Sequence, residues 1–537
     1  MALARTMKSD GPAGTGPGIF IEVFKLLAIA VCAIAIGGKI AAAPQFIFND
    51  GRLAPVFSML HGNPPFYAPG TGPMLNTVYG PLSYVYYFPC GCFIQNISLA
   101  IMAGSVLSLL AFVIPLGIIL LRQRDRFGGR EMFWLGALCL LQVLAYGGLS
   151  SAAFIIHADA PAVLFASLCV LALGWGEAGI TSRRALWISA ACGVLAIWSK
   201  QTYAAVLLMP LAVMLMEKHS WKQRLALLGW IASLNAILLW IFSLWCGFGA
   251  VEENLLKIPG AIPSGQVLFL YAPDPHAAGG VIGHLRSLIV SIHIMFGKYL
   301  APYLLCFLFY LFFRIKNGGT ATAGSLALLV PRISGFFFLA ALLNLPLAAD
   351  SATKIGAAAN DDTPFAWFLI LGIFCLIVEK KQNTSPPIGW QANRAVYAIF
   401  ATIALLYLAV ATAHLPKNLR TIAHAFDNDE ATIAAVCRQS PGKYYFPWNP
   451  AAVYAGERKL YNWQYIAELR GLAGRPITPD QFYRYLPPNA STIGLPVEYV
   501  TVATNFLSRY FQNLQACAGP AAAPADRFAW YSFERRP

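Results

Sequence analysis

Apolar segments recur along most of the chain, and short polar segments separate them. Most of the apolar segments are long enough for helices that span the ~30 Å hydrocarbon core of a membrane. We therefore predict a mainly α fold, a polytopic transmembrane helical bundle with about eleven spans. In chain order the predicted spans are Ile19–Ala43, Ile97–Leu121, Glu131–Leu149, Pro161–Gly176, Ala185–Ser199, Tyr203–Met216, Leu225–Cys246, Leu288–Phe313, Ile333–Leu347, Pro364–Val378 and Ala395–Ala413.

Basic clusters alternate with less basic segments between these spans. The segment RQRDRFGGR at residues 122–130 follows an even-numbered span, and so does the basic segment that begins with EKK at residues 379–381. Cytoplasmic loops carry an excess of Lys and Arg. The alternation therefore predicts that residues 122–130 and 379–394 lie inside and that the carboxyl-terminal segment lies outside. Residues 1–18 are rich in Gly and Pro and are predicted to be a disordered cytoplasmic lead.

Two segments lack the pattern of a span. Residues 45–96, which we name the first outer loop, are rich in Pro, Gly, Tyr and Phe and show no helical periodicity over residues 45–89. They are too long for a tight turn and too aromatic for a linker, so we expect an irregular functional loop. Residues 415–537 are polar and aromatic, with alternating and helix-like stretches, and they are predicted to form a small α/β domain outside the membrane. The transmembrane module is then residues 19–414.

Composition agrees with a membrane protein and excludes other classes. Of 537 residues, 58% are hydrophobic and 12% are charged, whereas about a quarter are charged in a soluble domain. The formal charge of +14 does not indicate nucleic-acid binding, because the basic residues lie in short loops. Most cysteines are scattered singly in apolar segments, and no Cys/His spacing is typical of a metal site. Cys437 and Cys517 are the only cysteines of the tail and could form a disulfide in an oxidising compartment.

Two carboxylates stand next to predicted helix ends. Asp50 follows the first span, and Asp159 precedes the fourth span in the sequence HADAP. Asp50 could instead be a solvated carboxylate that pairs with Arg52, and Asp159 could simply cap its helix. If the helices meet, both carboxylates face one cavity, where one is a general base and the other raises its pKa or orients an acceptor.

The segment SKQT at residues 199–202 joins two short predicted spans. Basic residues flank residues 185–216 on both sides, so we predict a hairpin whose tip carries Lys200. An ammonium at that depth needs an anion. The anion is either a structural partner such as Asp159 or a phosphate of the substrate.

Two further polar clusters lie in predicted outer segments. They are Asn360-Asp361-Asp362 and Asp274-Pro275-His276, and both are expected to be solvated loop features. Paired carboxylates could bind a divalent cation, although two carboxylates without further ligands are weak evidence for one.

Several short motifs, taken in order, resemble those of the GT-C glycosyltransferases. They are the acidic residue after the first span, the loop ending in YGPLSY at residues 79–84, HADAP, the KQT tip, GAAAND at residues 356–361 and the tail segment YYFPWNPAAVYAGERKLYN. The sequence resembles bacterial members akin to the protein O-mannosyltransferase and aminoarabinose transferase families. Those proteins often carry paired acidic residues in the first loop, whereas here the pair is Asn49-Asp50.

The resemblance implies an inverting transfer from a polyprenyl-phosphate sugar donor to a glycan, lipid or protein acceptor outside a bacterial inner membrane. Asp50, supported by Asp159, would be the base, so that Asp50→Asn would abolish transfer while donor binding survives. Lys200 would hold the leaving phosphate. The other implied substrate-binding residues are Arg52, Tyr79, Tyr84, His157, Gln201 and Asn360. No cofactor is implied, and a divalent cation could take part.

Two other classes stay open at this point. A transporter or flippase for lipid-linked sugars would place its key polar residues at mid-span, whereas here they gather on one side. A non-catalytic scaffold with the tail as its binding module would leave the buried lysine unexplained.

Overall fold

The computed structural model describes residues 15–76, 78–125, 127–174, 181–217, 219–263, 281–295, 300–318, 332–354, 359–378, 388–520 and 527–535. Most of the predicted lead, the cluster Asp274–His276 and residues 379–387 of a predicted inner segment lie outside these ranges.

The first part of the chain is built of helices. They are α1 (Thr15–Ala42), α2 (Ile47–Leu60), α3 (Leu82–Val85), α4 (Ile97–Leu121), α5 (Gly129–Ala145), α6 (Gly147–Phe154), α7 (Asp159–Leu173), α8 (Arg183–Ser199), α9 (Leu208–Met216), α10 (Trp221–Cys246), α11 (Phe248–Glu252), α12 (Ile258–Ala261), α13 (Val281–Ile294), α14 (Ala301–Gly318), α15 (Arg332–Ser351), α16 (Thr363–Val378) and α17 (Ile388–Ala413).

Within the described ranges, 6 helices are long and apolar enough to cross a membrane, or 7 if the bent pair α5–α6 is one span. These helices confirm the predicted fold class of a polytopic helical membrane protein, but they do not establish eleven spans. The predicted third span is bent by 100° between α5 and α6. The predicted fourth, fifth and sixth spans are helices of 17 residues or fewer, and the eighth is divided between α13 and α14. The hydropathy pattern predicted neither the bend in the third span nor the division of the eighth.

The first outer loop is more regular than its sequence predicts. It contains α2, α3 and a 3-10 helix at Phe88–Phe93. The prediction of an irregular segment is therefore wrong at α2. Most of α2 is buried. A helix that is covered on nearly every side lacks the amphipathic pattern from which a helix can be predicted. Gly51 is needed within it, because a Cβ there would lie 2.2 Å from the ring of Trp463.

The carboxyl-terminal tail forms the predicted small α/β unit. Its helices are α18 (Leu415–Ala423), α19 (Asp429–Gln439), α20 (Pro450–Glu457), α21 (Gln464–Leu472), α22 (Pro479–Tyr483) and α23 (Val500–Leu507). Its strands are β1 (Tyr444–Tyr445), β2 (Thr492–Pro496), β3 (Phe511–Ala516) and β4 (Phe528–Arg535), in the sheet order β1-β2-β4-β3. Only β1 and β2 are parallel; β4 is antiparallel to both of its neighbours.

The tail and the first outer loop share one apolar core. Leu53 and Phe57 of α2 belong to the same buried cluster as Ala452 of α20 and Leu495 of β2. A second cluster fills the bundle of α4–α9 and α14–α17. The tail is thus packed on the bundle through α2, and residues of both parts can reach one site.

The two cysteines of the tail are free thiols in the structure. Cys437 is buried where α19 packs closely on α20. A Cβ added to Gly456 of α20 would lie 2.6 Å from the Cβ of Cys437. Cys517 follows β3 and is half-buried. The disulfide predicted between them is therefore not present.

Candidate functional site

A cavity of about 540 Å³ lies where the bundle, the first outer loop and the tail meet. Its wall combines apolar, aromatic and charged side chains from segments that are far apart in sequence. The lining residues are Phe46, Phe48, Arg52, Val78, Tyr79, Ser151, Ala152, Ile155, His157, Lys200, Gln201, Thr202, Leu255, Leu256, Pro259, Gly260, Ile262, Leu347, Asp350, Ser351, Lys354, Asn360, Asp361, Tyr465 and Leu469. Most of the residues that the sequence analysis singled out are therefore brought together.

The motif YGPL places one wall of this cavity. The backbone N–H of Gly80 donates to the carbonyl of Ser199 at 3.1 Å, at the carboxyl end of α8. A Cβ on Gly80 would lie 1.8 Å from the carbonyl oxygen of Trp198, so only glycine permits this approach. The contact holds Tyr79 beside the tip that carries Lys200.

Asp159 lies directly behind the cavity wall, in the first turn of α7, and its side chain is fully buried. The ammonium of Lys200 donates to both carboxylate oxygens, at 2.9 and 3.0 Å. The amide of Asn360 donates to Oδ2 at 2.5 Å, and the hydroxyl of Tyr203 donates to Oδ1 at 3.3 Å. Side-chain donors from two separate segments thus surround this carboxylate.

His157 connects the carboxylate to the cavity. Its Nδ1 lies 2.5 Å from Oδ2 of Asp159, and its Nε2 lies 2.6 Å from the hydroxyl of Tyr79. We assign the ring proton to Nδ1, where it donates to the carboxylate, which leaves Nε2 to accept from Tyr79. Burial lowers the pKa of His157 to about 3, the cation of Arg52 adds to this effect, and Asp159 opposes it. The imidazole is therefore neutral and presents an acceptor nitrogen to a hydroxyl.

Lys200 lies at the joint between α8 and the 3-10 helix Gln201–Leu207, as the predicted hairpin requires. The residue is 4% exposed, and its ammonium also donates to Oδ1 of Asp361 at 3.3 Å. The sequence left two partners open for Lys200, a carboxylate such as Asp159 or a phosphate of the substrate. In the structure Lys200 is paired with Asp159. A buried ammonium that is bound to two carboxylates has little charge to offer to a phosphate.

Two other cations line the cavity without a carboxylate partner among the described residues. The guanidinium of Arg52 donates to the carbonyl of Ile156 at 3.1 Å and lies 5.4 Å from the ring centre of Phe48. The ammonium of Lys354 donates to the carbonyl of Pro259 at 3.0 Å. Both cations keep donors that an anion in the cavity could accept from.

Asp50 does not face the cavity, and the prediction that both carboxylates share it is wrong for this residue. The side chain of Asp50 is fully buried beneath the tail. Its two oxygens accept hydrogen bonds at 2.8 Å from the backbone N–H groups of Ala451 and Ala452, in the first turn of α20. The first N–H groups of a helix have no partner within the helix, and Asp50 supplies acceptors for two of them, so it joins α2 to the tail. It does not pair with Arg52 either, because Arg52 turns to the cavity.

Tyr84 also lies elsewhere. It belongs to α3 and packs in the core that the first outer loop shares with the tail, and it does not line the cavity. Gln201 and Asn360 line the cavity as predicted, and the amide of Gln201 donates to the carbonyl of Leu255 at 3.3 Å.

Several residues in or next to the cavity were not identified from the sequence. Asp361 and Asp362 were expected to be solvated, whereas Asp361 binds Lys200 and Asp362 is buried against the hydroxyl of Tyr146. Lys354 stands six residues before Asn360 in the same polar segment, which was a usable signal. Tyr465 gave no signal, because only the folded tail brings its ring to 5.0 Å from that of Phe48.

No group of three or more His, Cys, Asp or Glu side chains among the described residues is arranged to hold a metal ion. Participation of a divalent cation stays a prediction.

No family model matches the chain, and no curated protein matches it. The chain is similar to two crystal structures of ArnT from Cupriavidus metallidurans, one bound to undecaprenyl phosphate and one in the apo state. The sequence identities are 13% and 12%, and each match has a TM-score of 0.49 and covers 96% of this chain and 98% of ArnT. At this degree of similarity the likeness carries no argument about the reaction.

Proposed function

We propose that this protein is a membrane glycosyltransferase that moves a sugar from a polyprenyl-phosphate donor to a hydroxyl or amine of an acceptor. The observation that carries the proposal is a hydrogen-bonded series from Tyr79 through the buried His157 to the buried Asp159. It lies at a cavity that also holds aromatic rings and two cations without a carboxylate partner among the described residues. These are the parts that such a transfer needs: a proton acceptor, a phosphate site and a surface for a sugar.

The donor phosphate would bind to Arg52 and Lys354. Both cations line the cavity and lack a carboxylate partner among the described residues, whereas Lys200 is already paired. Arginine forms bidentate hydrogen bonds to phosphate, and lysine adds a point charge. This assignment replaces the role that the resemblance implied for Lys200.

The sugar would pack on the aromatic rings of the cavity. Phe48 and Tyr465 meet edge to face with ring centres 5.0 Å apart, and Tyr79 lies across His157 at 4.7 Å. Aromatic side chains provide large rigid surfaces with little conformational freedom to lose. The tail, which supplies Tyr465, would thus help to hold the donor.

The acceptor proton would pass to Nε2 of His157, while Asp159 holds the imidazole through Nδ1 and stabilises its charged form. The acceptor oxygen or nitrogen forms a bond to the anomeric carbon from the face opposite the phosphate, and the bond from that carbon to the phosphate oxygen breaks. The configuration at that carbon is inverted, and polyprenyl phosphate leaves with both electrons of the broken bond. A phosphate beside Arg52 offsets the cation that lowers the pKa of His157, so donor binding would strengthen the base.

We further propose that the cavity and the tail lie on the outer side of a bacterial inner membrane. The alternation of basic loops supports this orientation, since the cavity lies at the ends of the helices away from residues 122–130.

The phosphate site can be tested by binding, without knowledge of the sugar. Undecaprenyl phosphate is added to the full-length protein in lipid nanodiscs, and its affinity is measured for the wild type, Arg52→Met and Lys354→Met. Charge-assisted hydrogen bonds contribute about 1.5–3 kcal/mol, so each variant should bind roughly tenfold less tightly or worse.

Arg420→Met is the matched control, because Arg420 is exposed on α18 and lies outside the cavity. Its affinity should equal that of the wild type. Equal affinities for Arg52→Met, Lys354→Met and Arg420→Met would overturn the assignment of the phosphate site.

A further inference from the structure

A second cavity, of about 310 Å³, lies between the amino-terminal end of α2 and the tail. It is distinct from the first, because Ile47 lines the second cavity whereas Phe48 and Arg52 line the first. Gln45, the last residue of the candidate span Glu22–Gln45, also lines it. The second cavity therefore opens at the level where that span ends.

Most of the charged residues that line this cavity are acidic. Asp427, Asp429, Glu430 and Glu498 line it together with a single basic residue, Arg527. Arg527 is already engaged, because its guanidinium lies 2.9 Å from Asp427 and 3.7 Å from Asp429. An anionic ligand would be repelled here, whereas a cation would be attracted.

Two residues that line this cavity each have a buried oxygen with no hydrogen-bond partner within the part of the chain that the structure describes. These oxygens are Oε2 of Glu430, whose residue is 2% exposed, and Oδ1 of Asn449, whose residue is 1% exposed. Buried polar atoms in folded proteins are nearly always paired. Both residues line the same cavity, so a ligand there with N–H donors is a suitable partner for these oxygens.

Burial raises the pKa of Glu430 well above its usual range, and the nearby Asp50 raises it further. A cation in the cavity would act in the opposite direction and favour the carboxylate form. An organic ammonium carries both a positive charge for these carboxylates and N–H donors for their oxygens.

We propose that this second cavity binds a primary ammonium group, through Glu430 and Asn449. The ammonium could belong to the headgroup of an ethanolamine phospholipid, which would lie at the level of Gln45, or to a soluble amine. The proposal does not depend on the transferase reaction, because none of its residues lines the first cavity.

The test uses the full-length protein in nanodiscs of phosphatidylcholine, whose quaternary ammonium has no N–H to donate. In the first arm, free ethanolamine is titrated and its binding is measured by calorimetry. In the second arm, phosphatidylethanolamine is included and its retention relative to phosphatidylcholine is measured by native mass spectrometry. Binding in the first arm identifies a site for soluble amines, and selective retention in the second arm alone identifies a lipid headgroup site.

Glu430→Gln keeps the shape of the side chain but cannot form a carboxylate when a cation binds, and it should weaken the observed binding by roughly tenfold or more. Glu468→Gln is the control, because Glu468 is a tail residue that bonds to Gln464 and does not line this cavity. Binding that is absent in both arms for the wild type, or that is equal in Glu430→Gln and Glu468→Gln, would overturn the proposal.

Discussion

Asp50 and Asp159 each lie in the first turn of a helix, and each is fully buried, but different groups surround them. Two backbone N–H groups of α20 hold the carboxylate of Asp50. The side chains of Lys200, His157, Asn360 and Tyr203 surround the carboxylate of Asp159.

The difference separates a structural carboxylate from one suited to chemistry. The backbone N–H groups at a helix terminus hold an acceptor in place but do not connect it to a cavity. We therefore interpret Asp50 as a residue that joins two segments. Side-chain donors can exchange partners and protons, and His157 carries the influence of Asp159 to a cavity. Burial and acidity alone, which the two residues share, do not distinguish these roles.

The largest expected effect is that of His157→Gln on transfer. Loss of a general base typically reduces the rate 10²- to 10⁴-fold, and glutamine cannot take a proton at neutral pH. Transfer is measured as the glycosylated product that is missing from cells lacking the protein and is restored by the wild-type gene. Because transfer and stability are different readouts, the thermal midpoint of the variant is measured in parallel.

His61→Gln is the matched control, because His61 lies at the exposed end of α2, outside the cavity. It should restore the product fully. Full restoration by His157→Gln would show that the proton goes elsewhere.

The next effect is that of breaking the buried ion pair. Lys200→Met leaves Asp159 without its cation, and Asp159→Asn leaves Lys200 with only Asp361, so each should destabilise the protein by about 3–5 kcal/mol. The double variant removes both charges and should recover part of that loss. Thermal unfolding of the three variants in detergent gives the coupling, and purely additive losses would contradict a direct pair.

Asp50→Asn should have a smaller effect, on stability and not on transfer. An amide offers one acceptor oxygen in place of two, so one N–H of α20 loses its partner, at about 1–3 kcal/mol. Product formation per folded molecule should be unchanged. A variant that folds normally but forms no product would restore Asp50 as the base.

The same variant has a smaller, pH-dependent signature. Burial raises the pKa of Asp50 to about 8, and the two backbone hydrogen bonds oppose the rise. The folded state then holds a proton that the unfolded state releases near pH 4, so the stability from Asp50 falls as the pH rises from about 4 to 8. The difference in thermal midpoint between the wild type and Asp50→Asn should therefore shrink over that range. A difference that grows would show that the folded state favours the ionised carboxylate.

Much of the fold follows from hydropathy, because long apolar segments have few alternatives to spanning a membrane. The predicted span Ile97–Leu121 coincides with α4, and Pro364–Val378 differs from α16 by one residue. The bend between α5 and α6 could not be predicted, since it replaces one continuous apolar run by two helices at 100°.

The site could be predicted only where its residues carry local signals. The motifs HADAP and KQT predicted that His157, Asp159 and Lys200 belong to the site. The side chain of Asp50 contacts the backbone of Ala451 and Ala452, which lie about 400 residues away in sequence. No local sequence pattern predicts such a contact, because it depends on the folded structure of the tail.

The most direct test of the central claim is a structure of the protein in nanodiscs with undecaprenyl phosphate. We expect the phosphate in the first cavity, within hydrogen-bond distance of Arg52 and Lys354, with the isoprenoid chain leading into the bilayer and with Lys200 still bound to Asp159. A phosphate outside this cavity, or one bound to Lys200 with Arg52 and Lys354 left free, would contradict the account.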